Sequence, residues 1–213
     1  MSAGKFITLE GIEGAGKSTV ALALQAELER RGLPALLTRE PGGTPVAEAL
    51  RAVLLEGKRE AINPVAETLL MFAARAVHLD NAIRPALAAG RWVICDRYTD
   101  ATYAYQGAGR GVGERLIDEL AAAVHADLWP ARTLLLDLPV ATGLARARAR
   151  SGRPDRFEAE HADFFERARV LYLQRAARAP ERIKVIDAAL PAAQVASAAV
   201  AALGDLWPAA GSS

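Results

Sequence analysis

The chain has 213 residues, 52% of them apolar, with 26 basic and 25 acidic side chains and a single cysteine, Cys95. A chain of this length can bury enough surface to fold as one domain without disulfides or structural metal, and we expect a single domain over residues 1–213. The net charge of +1 excludes the global basic surface that holds nucleic-acid backbone. No apolar run approaches the ~18 residues of a membrane span, and residues 1–10 lack the regions of a secretory signal. We therefore expect a cytoplasmic protein with neither nucleic acid nor membrane as a partner.

Five short apolar runs predict the strands of a sheet: Phe6–Leu9, Ala35–Leu37, Trp92–Cys95, Thr133–Leu136 and Ile183–Ile186. Their continuous apolar character is typical of strands that are covered on both faces. Segments of helical period lie between them, the first beginning at Lys17 and ending before Gly32. This alternation favours a parallel sheet with right-handed crossovers in a three-layer α/β architecture. Such sheets bind ligands at the carboxyl ends of their strands.

A phosphate-binding loop follows the first predicted strand. Residues 11–18 read GIEGAGKS, which matches G-x-x-x-x-G-K-[ST] in the strand-to-helix context that the motif requires. In such a loop, backbone N–H groups surround phosphate oxygens, Lys17 reaches the outer phosphates and the Ser18 hydroxyl can bind Mg²⁺. The alternative, a plain glycine turn, would need no lysine. We expect ATP to contact Gly11, Ile12, Glu13, Gly14, Ala15, Gly16, Lys17, Ser18 and Thr19.

Three further segments can supply an acceptor site. Thr38–Thr44 contains one proline and two glycines, so it is a loop of specified shape or merely a turn. Asp96 ends the third predicted strand, where phosphate-loop enzymes place a carboxylate near the metal, and Arg97 can fork onto a second phosphate unless the two simply pair with each other. Phe72 and Arg75 share one helix face, where they could bind a nucleobase, or where the phenylalanine could be core and the arginine its edge.

The combination of these segments resembles the bacterial thymidylate kinase family, in the same order and at comparable spacing. The resemblance rests on the phosphate loop, Arg39–Thr44, Phe72–Arg75, Asp96–Tyr98 and Ala104–Gln106. It implies a nucleoside monophosphate kinase fold, with a five-stranded parallel sheet flanked by helices and a short lid at about residues 146–157. It also implies ATP with Mg²⁺, dTMP as acceptor and a homodimer.

The resemblance further implies roles for individual side chains. Phe72 would stack on thymine, Arg75 would donate to a thymine carbonyl, and Tyr105 would lie beneath the deoxyribose. Ala101 stands where the family often has serine, so Thr102 becomes the better candidate for reaching the base. Ser18 and Asp96 would hold the metal. The residues expected to bind dTMP are Glu40, Pro41, Leu54, Phe72, Arg75, Arg97, Thr102, Tyr105 and Gln106.

An arginine-rich segment at residues 144–156 corresponds to the lid of that family. Its arginines stand at positions 146, 148, 150, 153 and 156, and taken alone such a run could be a solvated basic face. Some thymidylate kinases carry an arginine inside the phosphate loop, whereas this chain has Glu13 there. The lid must then supply the positive charge that phosphoryl transfer requires. The expected catalytic residues are Lys17, Glu13, Arg97, Arg150 and Arg153.

These features predict an ATP-dependent kinase that converts dTMP to dTDP in dTTP biosynthesis. A kinase for another nucleotide or small acceptor would share the loop and the lid. A GTP-dependent switch is the alternative from another class, but such proteins normally carry an Asn-Lys-x-Asp segment, and this sequence contains none.

Overall fold

The computed structural model describes residues 4–56, 61–150, 156–157 and 160–208, apart from the side chains of Glu56 and Arg150. Within these residues, all strands belong to one parallel sheet of five, in the order β2-β3-β1-β4-β5. The strands are β1 Phe6–Glu10, β2 Ala35–Arg39, β3 Trp92–Asp96, β4 Arg132–Asp137 and β5 Ile183–Asp187. The predicted runs are confirmed, and each strand extends at least one residue beyond its run.

Helices connect the strands and pack on both faces of the sheet. Along β3, Trp92 and Ile94 belong to one core cluster, whereas Val93 and Cys95 belong to another. A strand whose successive side chains enter separate cores is covered on both faces, which explains its continuous apolar sequence. The α-helices of the described residues are α1 Lys17–Arg30, α2 Pro45–Glu56, α3 Pro64–His78, α4 Arg84–Ala88, α5 Thr99–Thr102, α6 Glu114–His125, α7 Val140–Arg150, α8 Ala162–Arg178 and α9 Ala192–Ala201.

The segment after β3 adopts a conformation that the sequence did not indicate. It forms the short helix α5 and then a π-helical stretch, Tyr103–Gly109, before the chain enters α6. Helix α8 packs along this stretch. Because π-helices are rare and frequently mark functional sites, the placement of Tyr105 and Gln106 here is informative.

The arginine-rich segment is only partly described. Helix α7 runs to Arg150, whose side chain is not described, and Arg153 lies outside the described residues. Of the helices in the described part of the chain, none is both long and apolar enough to cross a membrane.

Candidate active site

The phosphate loop connects β1 to α1 in a conformation that its glycines permit. Gly14 and Gly16 adopt φ angles of 73° and 88°, which side-chain-bearing residues rarely adopt. A Cβ atom at Gly14 would also overlap the main-chain oxygen of Gly143 in α7. The loop is therefore packed directly against the helix that leads to the arginine-rich segment.

Lys17, the first residue of α1, is held by the backbone of its own loop. Its ammonium group donates to the main-chain oxygens of Gly11, at 3.0 Å, and Ile12, at 3.1 Å. Burial, together with the nearby Arg97 guanidinium, lowers the pKa of Lys17 to about 8. The phosphate loop and the segments after β2 and β3 line one cleft. The Lys17 charge is positioned in this cleft by bonds to nearby backbone.

Arg97 directly follows β3 and is bonded to the phosphate loop. It has a φ of 72°, a left-handed conformation that is costly for a non-glycine residue and is typical of functional sites. Its guanidinium donates to the Gly11 main-chain oxygen at 2.9 Å and to Glu13 Oε1 at 2.8 Å. The Tyr105 hydroxyl donates to the other Glu13 oxygen at 2.6 Å. Glu13 therefore contacts both Arg97, which is expected to bind the dTMP phosphate, and Tyr105, which is expected to lie beneath the deoxyribose.

A carboxylate and a hydroxyl in the cleft fit a divalent cation. Ser18 and Asp96 both line it, together with Lys17. Among the described residues, Asp96 Oδ1 is buried and has no hydrogen-bond partner. Carboxylate and hydroxyl oxygens are ligands that Mg²⁺ accepts, so the predicted metal pair fits the metal.

The cleft residues that are expected to bind dTMP are called the acceptor wall. Arg75 is its buried cation, with 2% of its surface exposed. Its Nε donates to Glu40 Oε2 at 2.7 Å and its Nη2 to Thr102 Oγ1 at 3.1 Å. Its guanidinium carbon lies 4.7 Å from the centre of the Phe72 ring and 5.0 Å from that of Tyr98. Its Nη1 is buried with no partner among the described residues, which leaves a donor suited to a carbonyl oxygen of a base.

Glu40 holds Arg75 with the help of a histidine that the sequence did not reveal. Its second oxygen contacts Nδ1 of the buried His78 at 3.0 Å, and the other ring nitrogen of His78 lies 2.7 Å from Thr38 Oγ1. Burial alone would raise the pKa of Glu40, but Arg75 and His78 lower it below its ordinary value. A Cβ at Gly43 would overlap the His78 ring, so this glycine is needed for the close approach.

One cleft brings most of the predicted residues together. Those that line it are Glu13, Gly14, Gly16, Lys17, Ser18, Glu40, Pro41, Arg75, Asp96, Arg97, Thr102, Tyr105 and Gln106. Phe72 and Leu54 are buried behind the lining, and the Phe72 ring stacks on His125 with the centroids 6.3 Å apart. Their predicted base contacts stay predictions.

The cleft also contains residues that the sequence analysis missed, namely Arg51, Leu55, Met71, Tyr98 and Phe157. Arg51 donates to the Pro41 main-chain oxygen at 2.8 Å. It lies on α2 one turn before Leu54, and this helical spacing is the signal that could have identified it. Phe157 follows the arginine-rich segment and had no comparable signal.

A buried carboxylate lies directly beneath the phosphate loop. Glu10 is fully buried at the end of β1, where Oε1 accepts from the Tyr98 backbone N–H at 2.8 Å and Oε2 accepts from the Tyr172 hydroxyl at 2.7 Å. Burial and the charge of Asp100 raise the pKa of Glu10 to about 8. Burial thus favours the protonated form of Glu10 in the folded protein, while the hydrogen bonds from Tyr172 and Tyr98 oppose it.

The chain is similar to known proteins over nearly its whole length. The family model for thymidylate kinase matches residues 9–199. A thymidylate kinase of Alkalilimnicola ehrlichii is 53% identical over 203 residues, covering 95% of this chain and 94% of its own. One from Pseudomonas savastanoi is 57% identical over 192 residues, covering 90% and 91%. The crystal structure of thymidylate kinase from Ehrlichia chaffeensis is similar with a TM-score of 0.76 and 32% identity, covering 95% of this chain and 99% of that one.

Proposed function

Because the chain belongs to the thymidylate kinase family and phosphorylates dTMP to dTDP, we propose that this transfer takes place in the described cleft. ATP binds on the phosphate loop and dTMP on the wall that includes Arg75, Arg97 and Gln106. The observation that carries the proposal is that both sets of residues line one cleft, with Glu13 bonded to Arg97 and Tyr105 across it.

The acceptor wall supplies the contacts that dTMP requires. The buried Nη1 donor of Arg75 suits a thymine carbonyl, and Thr102 is bonded to the same guanidinium. Arg97 and Arg51 bring positive charge to the cleft, where they suit the phosphate of dTMP. The Tyr105 ring lies beneath the deoxyribose, and the position that it fills excludes a 2′-hydroxyl.

A second hollow beside the phosphate loop suits the adenine of ATP. It is lined by Gly16 and Thr19 from the loop side, by Arg146 of α7 and by residues 188–192 after β5. Arg146 donates to the Ala188 main-chain oxygen at 2.8 Å, which fixes the guanidinium plane at the hollow. A planar guanidinium held in this way can stack on a base.

Ser18 and Asp96 would hold Mg²⁺, which neutralises charge on the phosphates of ATP. Replacement of Asp96 by Asn should raise the Mg²⁺ concentration needed for half-maximal activity. Asp137→Asn is the matched control, since Asp137 ends strand β4, on the other side of β1 in the same sheet, and is paired with Arg169 at 2.7 Å. Equal Mg²⁺ requirements in the two variants would remove Asp96 from the metal site.

The chain's own residues perform the transfer by position and charge. The acceptor phosphate oxygen is already an anion, so no protein base or nucleophile is needed. Lys17 and Arg97, with Arg150 and Arg153 of the lid, stabilise negative charge that spreads over the transferred group. Glu13 orients Arg97 and Tyr105 and so aligns dTMP for in-line attack.

A coupled ADP-release assay with dTMP, dUMP, dCMP, AMP and GMP tests the assignment of the acceptor wall. Wild-type protein should prefer dTMP, and Arg75→Ala should raise the KM for dTMP while it leaves the KM for ATP unchanged. A variant that loses affinity for both substrates equally would show that Arg75 is structural.

We also propose a cytoplasmic homodimer, as the family resemblance implies. Helices α2 and α3 carry half-exposed apolar side chains, including Val53 at 52% and Leu69 at 48% exposure, which suit an interface. Val53→Glu should convert the dimer to a monomer in light scattering. Leu22→Glu on α1, at a position with 61% exposure, is the matched control and should leave the dimer intact.

A further inference from the structure

Glu67, on α3, is a fully buried carboxylate that does not line the cleft. Its Oε1 accepts from the Gln106 side-chain amide at 2.8 Å and from Arg110 Nε at 3.2 Å. Its Oε2 lies 2.8 Å from Arg156 Nη2. One carboxylate thus joins the π-helical segment after β3 to the end of the arginine-rich segment.

The first contact fixes the orientation of a residue that faces the substrate. A carboxylate can only accept hydrogen bonds, so Gln106 must turn its NH₂ group towards Glu67. The carbonyl oxygen of the Gln106 amide then faces away from Glu67. Because Gln106 lines the cleft, the charge of Glu67 determines which polar atoms the cleft presents at this position.

The contact between Glu67 and Arg156 anchors the chain next to Phe157, a further residue of the cleft. Arg156 also lies near the main-chain oxygens of Leu54, at 3.5 Å, and Ile62, at 3.3 Å. Leu54 belongs to α2, and Ile62 lies just before α3. Its neighbour Phe157 lines the cleft, with its ring 6.5 Å from that of Tyr105. Glu67 therefore supports the acceptor site at two places, at Gln106 directly and at Phe157 through Arg156.

We propose that Glu67 is a positioning residue for dTMP, acting mainly through the Gln106 amide and to a lesser extent through Arg156 and Phe157. The inference rests on the proposed placement of dTMP against Gln106. Its consequence is that dTMP affinity depends on a carboxylate that never touches the nucleotide.

Glu67→Gln is the informative substitution, because it preserves shape and removes the charge. A glutamine keeps only one acceptor oxygen, so it cannot face both the Gln106 and Arg110 donors and the Arg156 donor, and the Gln106 amide loses its single allowed orientation whenever the new NH₂ group faces it. Arg110 keeps its bond to Glu160 at 2.6 Å, and Arg156 keeps its main-chain oxygens, so neither cation is left without a partner. We expect the KM for dTMP to rise roughly tenfold, with kcat within a factor of about three and the KM for ATP unchanged.

Gln106→Ala and the double variant separate this role from simple loss of structure. If Glu67 acts largely through Gln106, the KM for dTMP in the double variant should lie well below the product of the two single effects. Full multiplication, or an equal rise in both KM values for Glu67→Gln, overturns the inference. If Glu67→Gln does not fold, Glu67→Asp takes its place, since it keeps the charge but withdraws it by one methylene.

Failure of the underlying placement gives a different result. A Gln106→Ala enzyme with an unchanged KM for dTMP would overturn both the placement and the inference, whereas a raised KM there with an unchanged KM in the Glu67 variant overturns the inference alone. Asp205→Asn is the structural control, because Asp205 pairs with the buried Arg132 at 2.6 Å at the amino-terminal end of β4. This control should lower the melting temperature without moving either KM.

Discussion

The two walls of the cleft hold their charged groups by different means. On the phosphate-loop side, the Lys17 ammonium is bonded to the main-chain oxygens of Gly11 and Ile12, six and five residues away. On the acceptor side, Arg75 is held by Glu40, which lies 35 residues away, and Tyr105 is bonded to Glu13, 92 residues away. The first wall is built from local backbone and the second from side chains of distant segments.

Function and stability are therefore expected to be coupled in the second wall and separable in the first. A side chain bonded to backbone oxygens can be removed while the backbone keeps its shape. A buried ion pair cannot lose one member without leaving the other charge uncompensated. Substitutions in the acceptor wall should therefore reduce stability along with affinity, and substitutions of Lys17 should reduce turnover alone.

The largest effect should come from charge that neither wall supplies. Removing Arg150 and Arg153 together should lower kcat by about 10³-fold, because we propose that these arginines stabilise charge in the transition state. Each single alanine variant should also lower kcat with little change in either KM, and lysine at either position should rescue only partly. Steady-state kinetics of the double variant is the test, and a kcat within a factor of about three of wild type would contradict it.

Lys17→Ala breaks the backbone-held wall. We expect kcat to fall by about 10²-fold or more, because the charge follows the phosphates into the transition state. The free energy of unfolding should hardly change, since only bonds to two main-chain oxygens are lost. Steady-state kinetics would check the expected fall in kcat, and urea unfolding of the same sample would check the unchanged free energy of unfolding. Near-normal turnover would overturn the phosphate-loop assignment.

Arg75→Ala breaks the wall built from distant side chains. It leaves Glu40 buried and short of one partner, so the free energy of unfolding should fall by about 3–5 kcal/mol while dTMP affinity is also reduced. Arg84→Ala is the matched control, because Arg84 forms a similar pair with Asp127 at 2.6 Å but is exposed. That control should cost at most about 1 kcal/mol. Equal losses in urea unfolding would show that the acceptor pair is not special.

The smallest expected effect is the contribution of Glu10 to the pH dependence of the unfolding free energy. Its pKa is raised from 4.5 to about 8, so between these values the folded protein holds a proton that the unfolded chain has released. Glu10 therefore makes the unfolding free energy fall as pH rises through this window. Glu10→Gln should remove that contribution.

The measurement is the difference between wild type and Glu10→Gln in urea unfolding from pH 5 to pH 7, which ends about one unit below the pKa of Lys17. The lowered pKa of His125, about 4, gives a slope of the opposite sign that is common to both proteins and cancels in the difference. A difference that stays constant across the window would contradict the buried, protonated state of Glu10.

The strands of the sheet and the motif of the phosphate loop could be predicted from the sequence alone. Continuous apolar runs predicted the five strands, and the residues at the carboxyl ends of β1 and β3 predicted the phosphate loop and the Asp96–Arg97 pair. The strand prediction is confirmed, because a strand covered on both faces is specified by its own residues. The phosphate-loop motif is likewise a local pattern, and its binding role stays a prediction.

Only the tertiary structure decided which distant side chains meet. His78 on Glu40, Glu67 on Gln106, and Phe157 in the cleft join segments far apart in the chain, and no spacing rule relates them. Their contacts follow from the order of the strands and from the packing of α3 and α8 around the π-helical segment. Buried charges in a folded chain must find partners wherever the topology brings them, and that requirement is visible only in three dimensions.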